Sequence, residues 1–534
     1  MTEEETQHLL KEHADLKEAV AQKEQRIQEL EALLTRAWQR IEELEKRLAK
    51  DSHNSSKPPS SDGFKRKERP RPKSEKPKGG QPGHQGHTLQ PVATPDRVLT
   101  HRPSHCEACQ SELPQGAGPV KERRQIHELP ELRLMVTEHQ VETIGCPACQ
   151  HLTTARFPAG VDAPAQYGPQ MQALAVYLSQ FQLLPMARIG ELLGDLWGCH
   201  LSEGTLANWI AEAASTLEPS MLRLKGLLLQ SRLDHVDETG GRIGGMLHWF
   251  HVTSSRWLTL YHWHRKRGKE AVNAIGILPH YEGRAMHDRW KSYDGYPCAH
   301  SVCGAHLLRD CLFVAEHDQQ PWATAMYELL RRMQETTEQW RATGARALPQ
   351  AERDALVLQY FALLTQGEAA QREGSAKPSA PAADPRDFLP KKAGRPTKAE
   401  RRARTALDKV LGPKAPKKMG RPRKDAASPG PRGQPTHQHA KNLLNALLTR
   451  ADQVLAFLDD LSIPFTNNQA ERDLRMIKVQ QKISGTFRSE AGATAFCVIR
   501  SYLSTMRKQG RSMLAAMTAV FAGSPFPIAW EPGT

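Results

Sequence analysis

The sequence lacks any run of roughly 18 apolar residues, the length a membrane-spanning helix requires, so no membrane partner is expected. It lacks a signal-like opening too: Met1 and Thr2 are followed by three glutamates, not by a basic and then an apolar stretch. Cysteine is sparse and odd in number, nine in 534 residues, which argues against a disulfide-stapled scaffold. Four of the nine form two CxxC pairs, a metal-binding usage that suits a reducing cytoplasm. What is present is ordinary for a soluble protein, 39% hydrophobic and 25% charged, over a length that allows two to four domains. The net charge of +14 calls for an anionic partner, with nucleic acid the default. Residues 391–432 carry 15 Lys and Arg against three acids and supply +12 of that charge.

Residues 1–50 read as one helix with a heptad seam. Leu9, Leu16, Lys23, Leu30, Ala37 and Leu44 fall at d, with His13, Val20, Ile27, Leu34, Ile41 and Leu48 at a. A narrow apolar seam with charged flanks predicts a self-associating coiled coil, a homodimer or higher multimer. Residues 51–94, rich in Pro, Gly, Ser and Lys, form a flexible basic linker that cannot bury a core. Residues 95–160 hold Cys106, Cys109, Cys146 and Cys149. Two CxxC pairs can present four thiolates tetrahedrally, the requirement of a structural zinc site, and RLMVTEHQVET between them is expected to form a short antiparallel sheet. Residues 165–225 are helical and resemble a helix-turn-helix, with Thr205, Asn208 and Trp209 along the second helix. A packed helical lead-in explains the same pattern.

A β-rich stretch follows. RLDHVDET, GGMLHWFHVTSS and RWLTLYHWH read as an antiparallel meander with Asp237 at the end of its first strand. GRAMHDRWKSYDGY reads as a fourth strand with Asp288 at its end, 51 residues after Asp237. Much later, NNQAERDLRMIKVQQKISG reads as a helix in which Asn468 and Glu471 have capping-box spacing. Arg475 and Lys478 follow Glu471 on that helix, placed to contact a DNA phosphate. Glu238 should face the other side of its strand from Asp237, and Asp294 competes with Asp288 for the role of second acid. Cys303 and His306 read as packing and site-supporting residues. AGRPTK and GRPRK place Arg395 and Arg421 in Gly-Arg-Pro cores similar to AT-hooks, with phosphate contact the plainer role.

An Asp on a first strand, an Asp after a fourth and a Glu on a later helix resemble ribonuclease-H-like transposases and integrases. NSSKPPSSDG, GGQPGHQGH, the two CxxC pairs, DET at 237–239, HD before Tyr293, CGAHLLRD, AKNLL and NNQAER resemble, in that order, the transposases of insertion sequence family 66. Family members often show Gly-Tyr where this chain has Arg289-Trp290. The resemblance implies a multidomain α+β protein: a ribonuclease-H-like domain over 228–500 with a mainly helical insertion at about 312–440, the coiled-coil helix and zinc module before it, and a helical tail at 501–534. It implies a D,D-E enzyme that cleaves and joins DNA at a two-metal magnesium site held by Asp237, Asp288 and Glu471. Its partners would be transposon-end and target duplexes and companion proteins of the same element, in a bacterial, nucleoid-associated setting. A non-catalytic zinc-containing DNA binder and a nuclease without strand transfer are the alternatives.

Overall fold

The computed structural model describes residues 20–45 (except 21, 39, 42 and 43), 89–373 (except 115 and 117) and 438–529. Arg395, Arg421 and most of the expected basic linker lie outside the described residues. The chain divides into two compact units: residues 65–164 with 190–201, and residues 1–64, 165–189 and 202–534.

Helix α1 (residues 22–38) carries the seam. Its Ile27, Leu30 and Leu34 are half or more exposed, at 54%, 50% and 60%.

In the smaller unit the two CxxC segments fold alike. Cys106 N–H donates to Ser111 O (2.9 Å) and Gln110 N–H to Cys106 O (2.9 Å); Cys146 N–H donates to His151 O (2.9 Å) and Gln150 N–H to Cys146 O (2.8 Å). Gln110 and Gln150 close the two turns in the left-handed region, with φ of 59° and 61°. Strands β1 (Thr143–Gly145) and β2 (Leu152–Thr154) flank the second turn, and a single bridge, His105 to Glu112, flanks the first. The expected strand at RLMVTEHQVET forms no ladder before Thr143, and Met135 and Val136 are 93% and 87% exposed. Its alternating pattern has no second layer to cover it, and an uncovered strand gains little by pairing.

After the smaller unit's knuckles the chain forms α2 (Pro169–Gln180), α3 (Met186–Trp197), α4 (Glu203–Thr216) and α5 (Glu218–Leu229). Ser202 caps α4 by accepting from Thr205 N–H at 3.0 Å. Helix α4 buries Leu206, Trp209, Ile210 and Ala213, and its exposed face shows Glu203, Asn208 and Glu212 without a lysine or arginine. That face repels phosphate, and Trp209 packs edge-on against Tyr167 (5.8 Å), so the geometry favours the packed lead-in.

A mixed five-stranded sheet follows, in the order β5-β4-β3-β6-β7. Strands β3 (Leu233–Ile243), β4 (Met246–Ser254) and β5 (Thr259–His264) form the antiparallel meander, and β6 (Arg284–His287) and β7 (Ala299–Val302) continue it in parallel. Strand β3 runs past the expected stop at Thr239, which leaves Asp237 in mid-strand. The turn falls later, at Gly244 and Gly245, whose φ of 56° and 79° make the two-residue hairpin that suits the strand twist. Helix α6 (Lys269–Ile275) leads from β5 towards β6.

Against one sheet face lie α13 (Asn468–Ile483) and α14 (Glu490–Lys508), where Phe250, Val252 and Tyr261 pack with Leu474, Ile477 and Phe496. A Cβ on Gly241 would sit 2.5 Å from the Phe250 ring, so only glycine admits this closeness. Helix α14 runs unbroken through the expected domain boundary at 500/501. Its buried Arg500 donates to Phe181 O (2.7 Å) and lies 4.4 Å over that ring, tying the helix into the domain before α15 (Met513–Phe521) begins.

The described part of the segment between β7 and α13 is helical, as the sequence suggests, over wider bounds. It comprises α7 (Gly304–His317), α8 (Pro321–Ala342), α9 (Gln350–Glu373), α10 (Gln438–Thr449), α11 (Ala451–Val454) and α12 (Ala456–Asp459). Its own core gathers Trp322, Met326, Leu330, Tyr360 and Leu447, and the Tyr360 hydroxyl donates to Leu447 O at 2.8 Å. The fold as a whole is mixed α and β.

Candidate active site

Asp237 occupies the face of β3 that meets α13, since the pairing Asp237↔Val252 sets it on the same side as Val252. Its carboxylate accepts from Glu238 N–H at 2.8 Å. Burial pushes its pKa well above the carboxylate range, and the charges of Glu238, Asp288 and Glu471 push it further. Asp288 directly follows β6, and Glu471 stands in the first turn of α13. Two further carboxylates, from other parts of the chain, thus act electrostatically on Asp237.

Asp288 is fixed by a turn of unusual backbone. Its Oδ1 accepts from Trp290 N–H at 2.9 Å, and Arg289 between them has a φ of 75°. A glycine adopts that angle freely, whereas a residue with a Cβ is strained. Arg289 is held there by its ion pair with Asp310 on α7, and its N–H donates to His287 Nδ1 at 3.1 Å. With Nδ1 accepting, the His287 proton resides on Nε2, which donates to His300 Nδ1 at 3.1 Å. Asp294 is directed elsewhere: it lies in an exposed turn and pairs with Arg450 at 2.6 Å.

Glu238 faces away from Asp237, as strand alternation requires. Its buried carboxylate pairs with Arg267 (2.7 Å) and accepts the Tyr293 hydroxyl. Arg267 is itself held over two rings, Trp249 at 4.8 Å and Trp290 at 4.4 Å. Trp290 and Tyr293 both belong to the loop after Asp288, so the network fastens that loop across β3. Arg267 and Glu238 were not legible as a pair, because 29 residues separate them and neither stands in a distinctive spacing.

Glu471 is delivered by Asn467. The expected capping box does not form: Asn467, not Asn468, is the N-cap, and its side chain caps nothing in the helix. Instead its Nδ2 donates to Val236 O (3.0 Å), its Oδ1 pairs with His235 Nδ1 (2.8 Å), and its backbone N–H donates to Cys303 Sγ (3.1 Å). The amide that would cap the helix ties it to the strand of Asp237. Beside it Gly304 N–H donates to Phe465 O (2.8 Å), and a Cβ at Gly304 would lie 2.2 Å from the Phe465 ring. That glycine lets α7 and the approach to α13 meet, which brings His306 Nδ1 to 3.7 Å from Glu471 Oε1.

Of the proposed phosphate ligands, Arg475 is exposed on α13, and the Lys478 ammonium donates to Gly240 O, with burial lowering its pKa. In the smaller unit the Cys109 thiol is lowered to about 7, chiefly by the hydrogen bond with the Ser111 side chain, and Cys146 is lowered by the backbone N–H groups of Cys149 and Ala148. No three of the four thiols lie within 4.8 Å of one another; among the described residues the one group of three or more His, Cys, Asp or Glu meeting that distance is Cys303, His306 and Glu471. No described helix is long and apolar enough to cross a membrane.

The chain has no match among curated proteins. A model of a family of unknown function matches residues 7–90. The model of the IS66 transposase family matches residues 164–383 and 398–495, more than half the chain and every element of the carboxylate cluster, and the chain belongs to that family.

Proposed function

We propose that this chain cleaves and joins transposon DNA on a ribonuclease-H-like domain, using Asp237, Asp288 and Glu471 as ligands for two magnesium ions. The observation that carries this reading is that Asp288 and Glu471, from two other elements, act on the buried Asp237, whose pKa is raised first by burial, then by Glu238, and further by these two acids. Such a cluster is unfavourable unless cations compensate it. Carboxylate oxygens are the donors magnesium prefers, and the buried Glu471 Oε1 has no hydrogen-bond partner. The order of the mixed sheet, with the first acid on its central strand, agrees with a ribonuclease-H-like core.

Bound there, the ions would activate the attacking oxygen and stabilise the leaving oxygen of a phosphodiester. The remaining roles belong to the chain. Asn467 holds Glu471 against β3, the Glu238–Arg267–Tyr293 network holds the Asp288 loop, and Arg475 offers a cation to a nearby phosphate. Under the same reading the two knuckles supply two thiolates each to one zinc ion, which would draw them together. The exposed seam of α1 pairs with a second copy. Arg395, Arg421 and the basic run bind DNA phosphates.

The test is magnesium-dependent cleavage and joining of labelled transposon-end DNA by wild type and Glu471→Ala. Activity that disappears in the variant, with DNA still bound, is expected. A variant that cleaves like wild type would sink the assignment. A wild type that cleaves without joining would favour a nuclease, and one that binds without cleaving would favour a DNA-binding protein.

A further inference from the structure

Two atoms in the site face each other without a hydrogen bond. His306 Nδ1 and Glu471 Oε1 are both buried, neither has a hydrogen-bond partner, and 3.7 Å separates them, beyond hydrogen-bond range. Leaving a buried polar atom unpaired costs about 1–3 kcal/mol, so this pair needs an explanation. A third donor stands beside them. Cys303 and His306 are three residues apart at the start of α7, which sets them over one helical turn. The donor atoms of Cys303, His306 and Glu471 all lie within 4.8 Å of one another.

We propose that Cys303, His306 and Glu471 form a second metal site, selective for a thiophilic divalent cation such as zinc, that competes with magnesium for the Glu471 carboxylate. The competition half rests on the reading of Glu471 as a magnesium ligand; the binding half does not. Sulfur and imidazole are poor donors for magnesium and good ones for zinc. Three protein ligands with one open position is a common zinc arrangement. Bonds of about 2.0–2.3 Å place tetrahedral donors about 3.3–3.8 Å apart. The His306–Glu471 separation of 3.7 Å already fits, and the three donor atoms all lie within 4.8 Å of one another, at most about 1 Å wider than that spacing. His306 ligates as the neutral imidazole. The Asn467 N–H already donates to Cys303 Sγ, a bond that strengthens when the thiol gives its proton to solvent and binds as thiolate.

The experiment is a cobalt(II) titration of the full chain without DNA, wild type against Cys303→Ser, read by uptake and by the near-ultraviolet thiolate-to-cobalt band. The knuckle thiols contribute equally to both proteins, so the difference isolates Cys303. Wild type is expected to take up one more cobalt per chain, with a stronger band, and zinc to displace it. Identical uptake and spectra overturn the site. His306→Asn, measured the same way, is expected to match Cys303→Ser, and serves alone if the serine variant does not fold; wild-type uptake in the folded asparagine variant overturns the site. The competition is read as zinc inhibition of magnesium-dependent cleavage, each protein against its own zinc-free rate. Cys303→Ser should need roughly tenfold more zinc for half inhibition, and equal sensitivity overturns the competition. Because cobalt uptake needs no cleavage, a chain that binds cobalt but cuts nothing would count against the transposase reading alone.

Discussion

Replacing Asn467 tests how the third acid is held. The side chain is 1% exposed and makes two bonds, to Val236 O at 3.0 Å and to His235 Nδ1 at 2.8 Å. Asn467→Ala leaves both partners buried and unpaired. At about 1–3 kcal/mol for each stranded group, the loss is about 2–6 kcal/mol. Were Asn467 an ordinary helix cap, alanine would cost only about 1 kcal/mol and aspartate almost nothing. The geometry sets aspartate apart from that case. Asn467→Asp removes the donor to Val236 O and sets a carboxylate against that carbonyl and close to Glu471, so it should be at least as damaging as alanine. The assay is hydrogen exchange across β3 and α13, with a thermal melt; the expected fall for a domain of this size is on the order of 10 °C. Both substitutions should also raise the magnesium needed for half-maximal cleavage. An aspartate variant with wild-type exchange and melting, beside an alanine variant that loses about 1 kcal/mol or less, would refute the tie between helix and strand.

Arg289 offers a comparison of two substitutions. Both Arg289→Ala and Arg289→Gly lose the ion pair with Asp310, but only glycine escapes the strain at a φ of 75°. The glycine variant should therefore be about 1 kcal/mol the more stable by chemical denaturation, and equal stability would mean the angle is not strained. Asp234 predicts a pH effect. Burial raises its carboxyl from 3.8 to about 7, against the Ser231 hydroxyl and the Lys508 charge. A raised folded pKa gives stability that is full below the unfolded value and lost as pH climbs through the folded one. Asp234→Asn should thus gain on wild type between pH 4 and 7, by on the order of a few kcal/mol; a difference in melting temperature constant over that range would contradict this. Cys106→Ser should abolish zinc uptake by the knuckles and expose residues 95–160 to protease. Full zinc content with a protease-resistant module would exclude the four-thiolate site.

The strands were legible because alternation and β-branched residues mark a half-buried sheet, and β3, β4, β5 and β6 fall where RLDHVDET, MLHWFHV, LTLYHWH and RAMH stand. Strand β3 runs beyond RLDHVDET because the structure uses Gly240 and Gly241, where the alternating pattern breaks, for close packing and turns at the next glycine pair. The capping box failed for a tertiary reason: the Asn467 amide finds partners on a strand more than 230 residues away, which local spacing cannot reveal. Separations of 29 and 55 residues likewise hid Glu238–Arg267–Tyr293. Helix α4 illustrates the opposite case, in which a helix-turn-helix pattern was visible and only burial of Trp209 and the acidic outer face distinguished packing from groove reading. The faint β pattern at RLMVTEHQVET had no layer to answer it.

The paired contacts at Cys303–Gly304 and Phe465–Asn467 have a consequence for how the chain can change over time. They bring the two ends of a long excursion, residues 305–464, to a single neck, closed by the Gly304–Phe465 and Asn467–Cys303 bonds at 2.8 and 3.1 Å. Once a neck is closed, the entropy of the loop beyond it grows only with the logarithm of its length. Segments can then be added, removed or exchanged beyond the opening turns of α7 at little energetic expense, provided Gly304 and Asn467 at the neck, His306 beside Glu471 and Asp310 against Arg289 stay. The carboxylates then depend on the neck and the opening of α7 more than on the helices farther along, so new segments can be acquired there with the three acids kept in place.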